Sequence, residues 1–151
     1  MEASTGPIDQ ECVEAYLFVR SPLRLLIVRR PPERGRIWVP ISGKVDAQDA
    51  DYPSAIRREI REETGFETLL RLFSLDWEVE FEGPKGGRWR LHAFGAELSS
   101  GGPPTLSPEH DAFEWVEPPE ATARLHYPDN QGAVRRLLEV LSADTPGSPN
   151  L

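Results

Sequence analysis

Arg57-Arg-Glu-Ile-Arg-Glu-Glu-Thr-Gly-Phe66 closes the clearest helix signal in the chain. The helix is expected from about Tyr52 to Thr64, with Asp51 as its N-cap, Pro53 in the first turn and Gly65 where a helix stops. Its apolar stripe is short: Ala55, Ile56 and Ile60. Glu59, Glu62 and Glu63 stand at i, i+3 and i+4, which sends three carboxylates from one side of the helix. Like charges so spaced repel, and they cost stability unless a cation sits among them. Hard carboxylate oxygens are what Mg²⁺ or Mn²⁺ prefers. A plainer reading stands beside this one: Arg57, Arg58 and Arg61 neutralise the glutamates, and the stretch is a solvated helix face.

Upstream, Cys12 to Val19 and Leu23 to Arg29 are rich in aliphatic and aromatic residues and meet at Ser21-Pro22, which reads as a hairpin. A third apolar run, Ile37 to Ile41, ends at Ser42-Gly43. Downstream, Leu70 to Glu82 and Arg88 to Leu98 flank Gly83-Pro-Lys-Gly-Gly87 and form a second hairpin. Ala112 to Val116 alternates like an edge strand, and Asn130 to Leu141 has helical spacing through Val134, Leu137, Leu138 and Leu141. Strands, helix, strands, helix, without a repeat, predict an α+β domain over residues 11–142 in which helices cover a mixed sheet. The polar, Gly- and Pro-bearing ends, 1–10 and 143–151, are expected to be flexible.

The 151 residues suit a single domain. With 17 basic against 25 acidic side chains the formal charge is −8, so a surface for long nucleic acid is not expected. The single cysteine, Cys12, cannot form an intramolecular disulfide, and no apolar run approaches the roughly 20 residues that span a bilayer. A cytoplasmic protein without a membrane partner is the expectation, and a homodimer is compatible with it.

Gly43, the loop after it and Arg58-Glu-Ile-Arg-Glu-Glu-Thr-Gly-Phe66 together resemble the signature of the Nudix hydrolases, G-x5-E-x7-R-E-U-x-E-E-x-G-U with U a bulky apolar residue. The second half matches at every defined position. The first half departs: five residues after Gly43 stands Asp49 in place of glutamate, and eight residues rather than seven separate it from Arg58. Counting back from Arg58 instead places Ala50 at the acidic position, with Asp51 beside it. Either the loop carries one extra residue or the acid is lost. Further on, Pro108-Glu-His-Asp-Ala-Phe-Glu-Trp-Val116, Pro118-Pro-Glu-Ala121 and Tyr127-Pro-Asp-Asn130 look like the C-terminal part of Nudix enzymes that act on dATP or dihydroneopterin triphosphate.

The resemblance implies an α/β/α sandwich and hydrolysis, with Mg²⁺ or Mn²⁺, of a nucleoside triphosphate or related diphosphate to monophosphate and pyrophosphate. It implies that Glu59, Glu62 and Glu63 bind metal, that one of them stands near the attacking water, and that Arg58 orients Glu59. Gly43 would let the loop backbone come close to helix and metal. Glu109 is the best candidate for a metal-binding acid from outside the signature, ahead of Glu78, Glu80 and Glu82. Trp38, on the strand leading into Gly43, is the choice among the tryptophans for stacking on a base, and Lys44 is grouped with Trp38 and Gly43 as substrate-binding. Lys85 and Arg88 could meet phosphates. His92, His110 and His126 show no metal-ligand spacing and no Ser or Cys partner, so none reads as catalytic. The other class left open is a Nudix-fold module that binds such a nucleotide without cleaving it.

Overall fold

The structure is a computed structural model that describes residues 6–143. Of the ends expected to be flexible, residues 1–5 and 144–151 lie outside the described part. Within it, Gln10 already belongs to the first strand and the Asp9 N–H donates to the Arg88 carbonyl at 2.8 Å. Order therefore begins before residue 11, because the second hairpin holds this segment.

Strand β1 (Gln10–Val19) is the spine of the sheet. It forms the expected hairpin with β2 (Arg24–Arg29) and runs parallel to β6 (Arg88–Glu97) from Gln10 to Phe18. Its other side is shared between β2, at Phe18 and Val19, and β4 (Ile41–Lys44), at Cys12 to Ala15. Both faces are covered, so its residues are buried without alternation. The faces are nonetheless distinct. Val13, Ala15 and Leu17 pack with Ala55, Ile56 and Ile60 of α1 (Tyr52–Thr64). Tyr16 and Phe18 pack with Ala121 of α2 (Pro118–Arg124) and with Ala133, Val134 and Leu137 of α3 (Pro128–Ser142). One helix on one face and two on the other make the α/β/α sandwich. Ile56 and Ile60 are 0% and 1% exposed, and each contributes about 1.5–3 kcal/mol by burial.

The run Ile37–Ile41 divides at Pro40. β3 (Trp38–Val39) pairs with β2, whereas β4 pairs with β1. Proline has no N–H for the ladder, so the change of partner falls where a bond could not be made in any case. β5 (Arg71–Glu82) joins β6 in the second hairpin, with a register shift between Ser74 and Glu78. β7 (Ala112–Val116) lies on the side of β2 away from β1 and is the expected edge strand. Helix α2 has no counterpart in the sequence reading. It buries only Ala121 and so shows no periodic stripe; its signal is confined to Pro118-Pro119 and Glu120 in the first turn. Among the described residues no helix is long and apolar enough to cross a membrane.

Candidate active site

Helix α1 begins where Asp51 Oδ1 accepts the Ser54 N–H at 2.8 Å and ends at Gly65, whose φ of 78° suits glycine and whose N–H reaches the Arg61 carbonyl at 2.9 Å. Burial of its apolar stripe fixes how the helix is rotated on the sheet. Glu59 and Glu63, one turn apart, then lie inward at 7% and 1% exposure. Glu62, offset around the helix, keeps a side chain 58% exposed. The structure thus brings two of the three glutamates together and leaves the third on the flank.

Glu59 and Glu63 hydrogen-bond each other through their carboxyls. Burial pushes the pKa of both up. For Glu63 the bond to Glu59 and the charges of Glu109, Glu59 and Glu62 push further in the same direction. Two acids so placed share a proton, since burial and the repulsion between two adjacent carboxylates disfavour a second negative charge there. Glu63 Oε2 is buried with no hydrogen-bond partner. Gly43, on β4 opposite Val13, makes room for the pair: a Cβ added there would lie 2.5 Å from Glu59 Oε1 and nearer still to Oε2 and Cδ.

Arg58 ties this pair to the loop before the helix. It grips Asp49 with both arms, Nε to Oδ1 at 3.0 Å and Nη2 to Oδ2 at 2.9 Å, and it also donates to the Lys44 carbonyl at 3.0 Å. Nη1 reaches Glu59 Oε2 at 3.1 Å and Glu62 Oε1 at 3.3 Å. The bond from Arg58 holds the Asp49 pKa below the usual carboxylate value. The choice left open by counting is thereby resolved. Asp49 holds the arginine across one extra residue, and Asp51 serves as the helix cap.

A segment the signature does not contain completes the surroundings. The Ser107 N–H donates to the Glu63 carbonyl at 3.4 Å, and His110 Nδ1 lies 3.5 Å from Glu63 Oε1. The His110 ring is buried and its Nδ1 has no hydrogen-bond partner. Burial, the largest influence, pushes its pKa down to about 4, so the ring is neutral near pH 7. Sequence reasoning read His110 as not catalytic and had no signal that would set it beside Glu63. Glu109 itself is exposed, faces Arg34 Nη1 at 3.5 Å, and is close enough for its charge to act on Glu63.

The other residues singled out in the sequence lie elsewhere. The Trp38 ring belongs to the α2 and α3 face, with the guanidinium carbons of Arg124 and Arg29 4.5 and 5.8 Å from its centroid. The Lys44 ammonium stands 5.1 Å from the Trp89 ring. Arg88 pairs with Glu80, and Glu78 faces His92 Nδ1 at 3.2 Å. His92 Nε2 meets Glu11 at 2.9 Å, and its ring stacks on Tyr52, so it ties the start of α1 to the sheet.

Among the described residues no three carboxylate, imidazole or thiol side chains already converge closely enough to enclose a metal ion. The donor set still suits a divalent cation. The carboxyl oxygens of Glu59 and Glu63 are hard ligands, one is orphaned in a buried site, and their repulsion is what a cation would relieve. Glu62 would have to leave Arg58 to join them.

A buried carboxylate pair on a loop-held helix, set against a glycine strand of a mixed sheet between helical layers, defines a family. The NUDIX domain model matches residues 12–137, and the chain belongs to that family, whose members hydrolyse nucleoside diphosphate-linked compounds as pyrophosphohydrolases. The fold matches an Ap4A hydrolase from C. elegans solved as a binary complex (TM-score 0.75, 22% identity, 89% of this chain and 99% of that one). It equally matches the dihydroneopterin triphosphate pyrophosphohydrolase of E. coli (TM-score 0.75, 21% identity, 88% and 99%). Over 116 residues, 75% of its length, the chain is 34% identical to an octanoyltransferase of Myxococcus xanthus. It spans about a third, 32%, of that relative.

Proposed function

We propose that this chain hydrolyses a nucleoside or pterin triphosphate to the monophosphate and pyrophosphate in the cytoplasm, with Mg²⁺, or Mn²⁺ in its place, held by Glu59, Glu62 and Glu63. The observation that carries the reading is the buried Glu59–Glu63 pair with its orphaned oxygen, an arrangement that is costly alone and is relieved by a divalent cation. A bound cation supplies charge neutralisation at the phosphates and a more acidic attacking water. The chain's own residues do the placing. Arg58 holds Glu59 against the loop, the missing side chain of Gly43 lets the strand backbone approach, and Glu109 offers an exposed carboxylate beside the pair. Arg34, an exposed cation 3.5 Å from Glu109, would be available to the negative phosphates.

The choice of a triphosphate rests on the similarity of Pro108 to Asn130 to the dATP and dihydroneopterin triphosphate group. The formal charge of −8 suits a small metal-masked nucleotide better than a polyanion. Octanoyl transfer is not carried over from the Myxococcus protein. The chain spans only 32% of that protein's length, so what the whole relative does is not read onto it.

The test is incubation of the purified protein with Mg²⁺ and a panel of nucleotides, followed by chromatography of the products. Monophosphate plus pyrophosphate is expected. Diphosphate plus phosphate, or activity confined to dinucleotides or nucleotide sugars, overturns the substrate reading. Nucleotide binding without any product would mark a non-cleaving module, the reading that Glu62's engagement with Arg58 favours.

A further inference from the structure

We propose that His110 is a positioning residue: its Nδ1–H donates to Glu63 Oε1, fixing the carboxylate so that Oε2 is presented to a divalent cation. This rests on the metal-dependent reading above. Two buried polar atoms without a hydrogen-bond partner, Glu63 Oε2 and His110 Nδ1, belong to side chains that are 1% and 6% exposed and approach to 3.5 Å. Leaving either unmatched is costly; one small adjustment satisfies Nδ1, and a cation would satisfy Oε2. Closing the 3.5 Å gap makes the imidazole the partner of Oε1, and the oxygen left over is the one a cation can take. Neutral imidazole can carry its proton on either nitrogen, and this arrangement requires the Nδ1–H tautomer.

The backbone is built to keep the ring there. Ser107 is tied to the last turn of α1 through the Glu63 carbonyl, and the His110 N–H returns to the Ser107 carbonyl at 3.2 Å. On the far side the Asp111 N–H donates to the Arg29 carbonyl at 2.9 Å, and its carboxylate pairs with Arg29 Nε at 2.9 Å. The residues flanking His110 are thus held by helix and strand at once. Carboxylates that bind metal are commonly held by such a second partner, whose loss weakens metal binding about 10- to 100-fold.

The experiment is Mn²⁺ titration of the metal-free full chain, followed by the EPR signal of free Mn²⁺. The wild-type chain is expected to bind, and Glu63→Gln to lose most of that affinity. His110→Leu should weaken binding about tenfold or more. His110→Asn, whose amide nitrogen stands near the place of Nδ1, should remain within about threefold of wild type. In the Mg²⁺-loaded wild type, ¹⁵N shifts should give the Nδ1–H tautomer for His110, a measurement that stands even if His110→Leu fails to fold. Unchanged affinity in His110→Leu, an asparagine variant no better than leucine, or an Nε2–H tautomer overturns the proposal. A wild-type chain that binds no Mn²⁺ overturns the metal-dependent reading and this proposal with it.

Discussion

Gly43→Ala separates placement of the carboxylates from stability of the fold. The added methyl would stand 2.5 Å from Glu59 Oε1 and closer to the other two carboxylate atoms, against an ordinary contact of about 3.5 Å. The Glu59 carboxylate must therefore withdraw by about 1.5 Å at its nearest oxygen. The atoms it meets first all belong to the end of one flexible side chain, and Gly43 is not among the glycines with positive φ, so no backbone strain is added. The cost in stability should stay near 1 kcal/mol, a fall in Tm of less than about 4 °C. Catalysis is less forgiving. A misplacement of about 1 Å in a group that orients the reaction costs about 100-fold, or about 3 kcal/mol of barrier. Steady-state hydrolysis of a nucleoside triphosphate with saturating Mg²⁺ and a thermal melt of the same sample provide the two numbers. A double-mutant cycle with Glu59→Gln adds a third: if the methyl acts through Glu59, it should cost less than about threefold in that background. Turnover within threefold of wild type for Gly43→Ala alone, or losses that multiply in the double mutant, would refute the reasoning.

Asp49→Ala should lower turnover at least tenfold by freeing Arg58 and the loop, whereas Asp51→Ala should cost about 1 kcal/mol of helix stability with little change in rate; kinetics and urea unfolding of the two variants check the assignment, and the reverse order would contradict it. Glu63→Gln should raise the melting temperature of the metal-free protein slightly, because the amide replaces a buried carboxyl that must take up a proton on folding, while abolishing the further stabilisation that saturating Mg²⁺ gives the parent. Glu14, fully buried under its bond from the Tyr16 hydroxyl, has its pKa pushed up to about 7 by burial. The folded chain then holds a proton that the unfolded chain releases above its ordinary value of 4.5, so this group makes stability fall as pH rises from about 4.5 to 7. The full effect is about 3 kcal/mol, and Glu14→Gln should remove it from unfolding curves measured at pH 5 and 8.

Much of this architecture was readable because it is written in local chemistry. Helix α1 declares itself through Asp51, Pro53 and Gly65, which act within a few residues of where they stand. Both hairpins are announced by their turn residues. Helix α2 was not readable, since one buried alanine carries no period. The divided run at Pro40 reads as a single apolar stretch, because which strand each half pairs with is decided by β1 and β2, far away in sequence. At the site, spacing placed three glutamates on one side of a helix. Only packing of Ile56 and Ile60 could decide that Glu59 and Glu63 turn inward and Glu62 stays with Arg58. The approach of His110 to Glu63 was illegible for the same reason as the Pro40 division: Glu63 lies 47 positions earlier, and only the closed fold brings the two together.

The grip of Arg58 on Asp49 also bears on how such chains are found. A shorter acid serves where the signature has glutamate, and one additional residue is absorbed between the partners without loosening the two-armed bond. What the pair needs is a distance of about 3 Å between two charged groups, and this chain reaches it with one residue more along the backbone than the signature has. A pattern search that insists on seven intervening residues passes over this protein at its first half. A search that asks whether some acid in the loop can reach the arginine retains it, and should gather other chains whose loops have grown or shrunk by a residue.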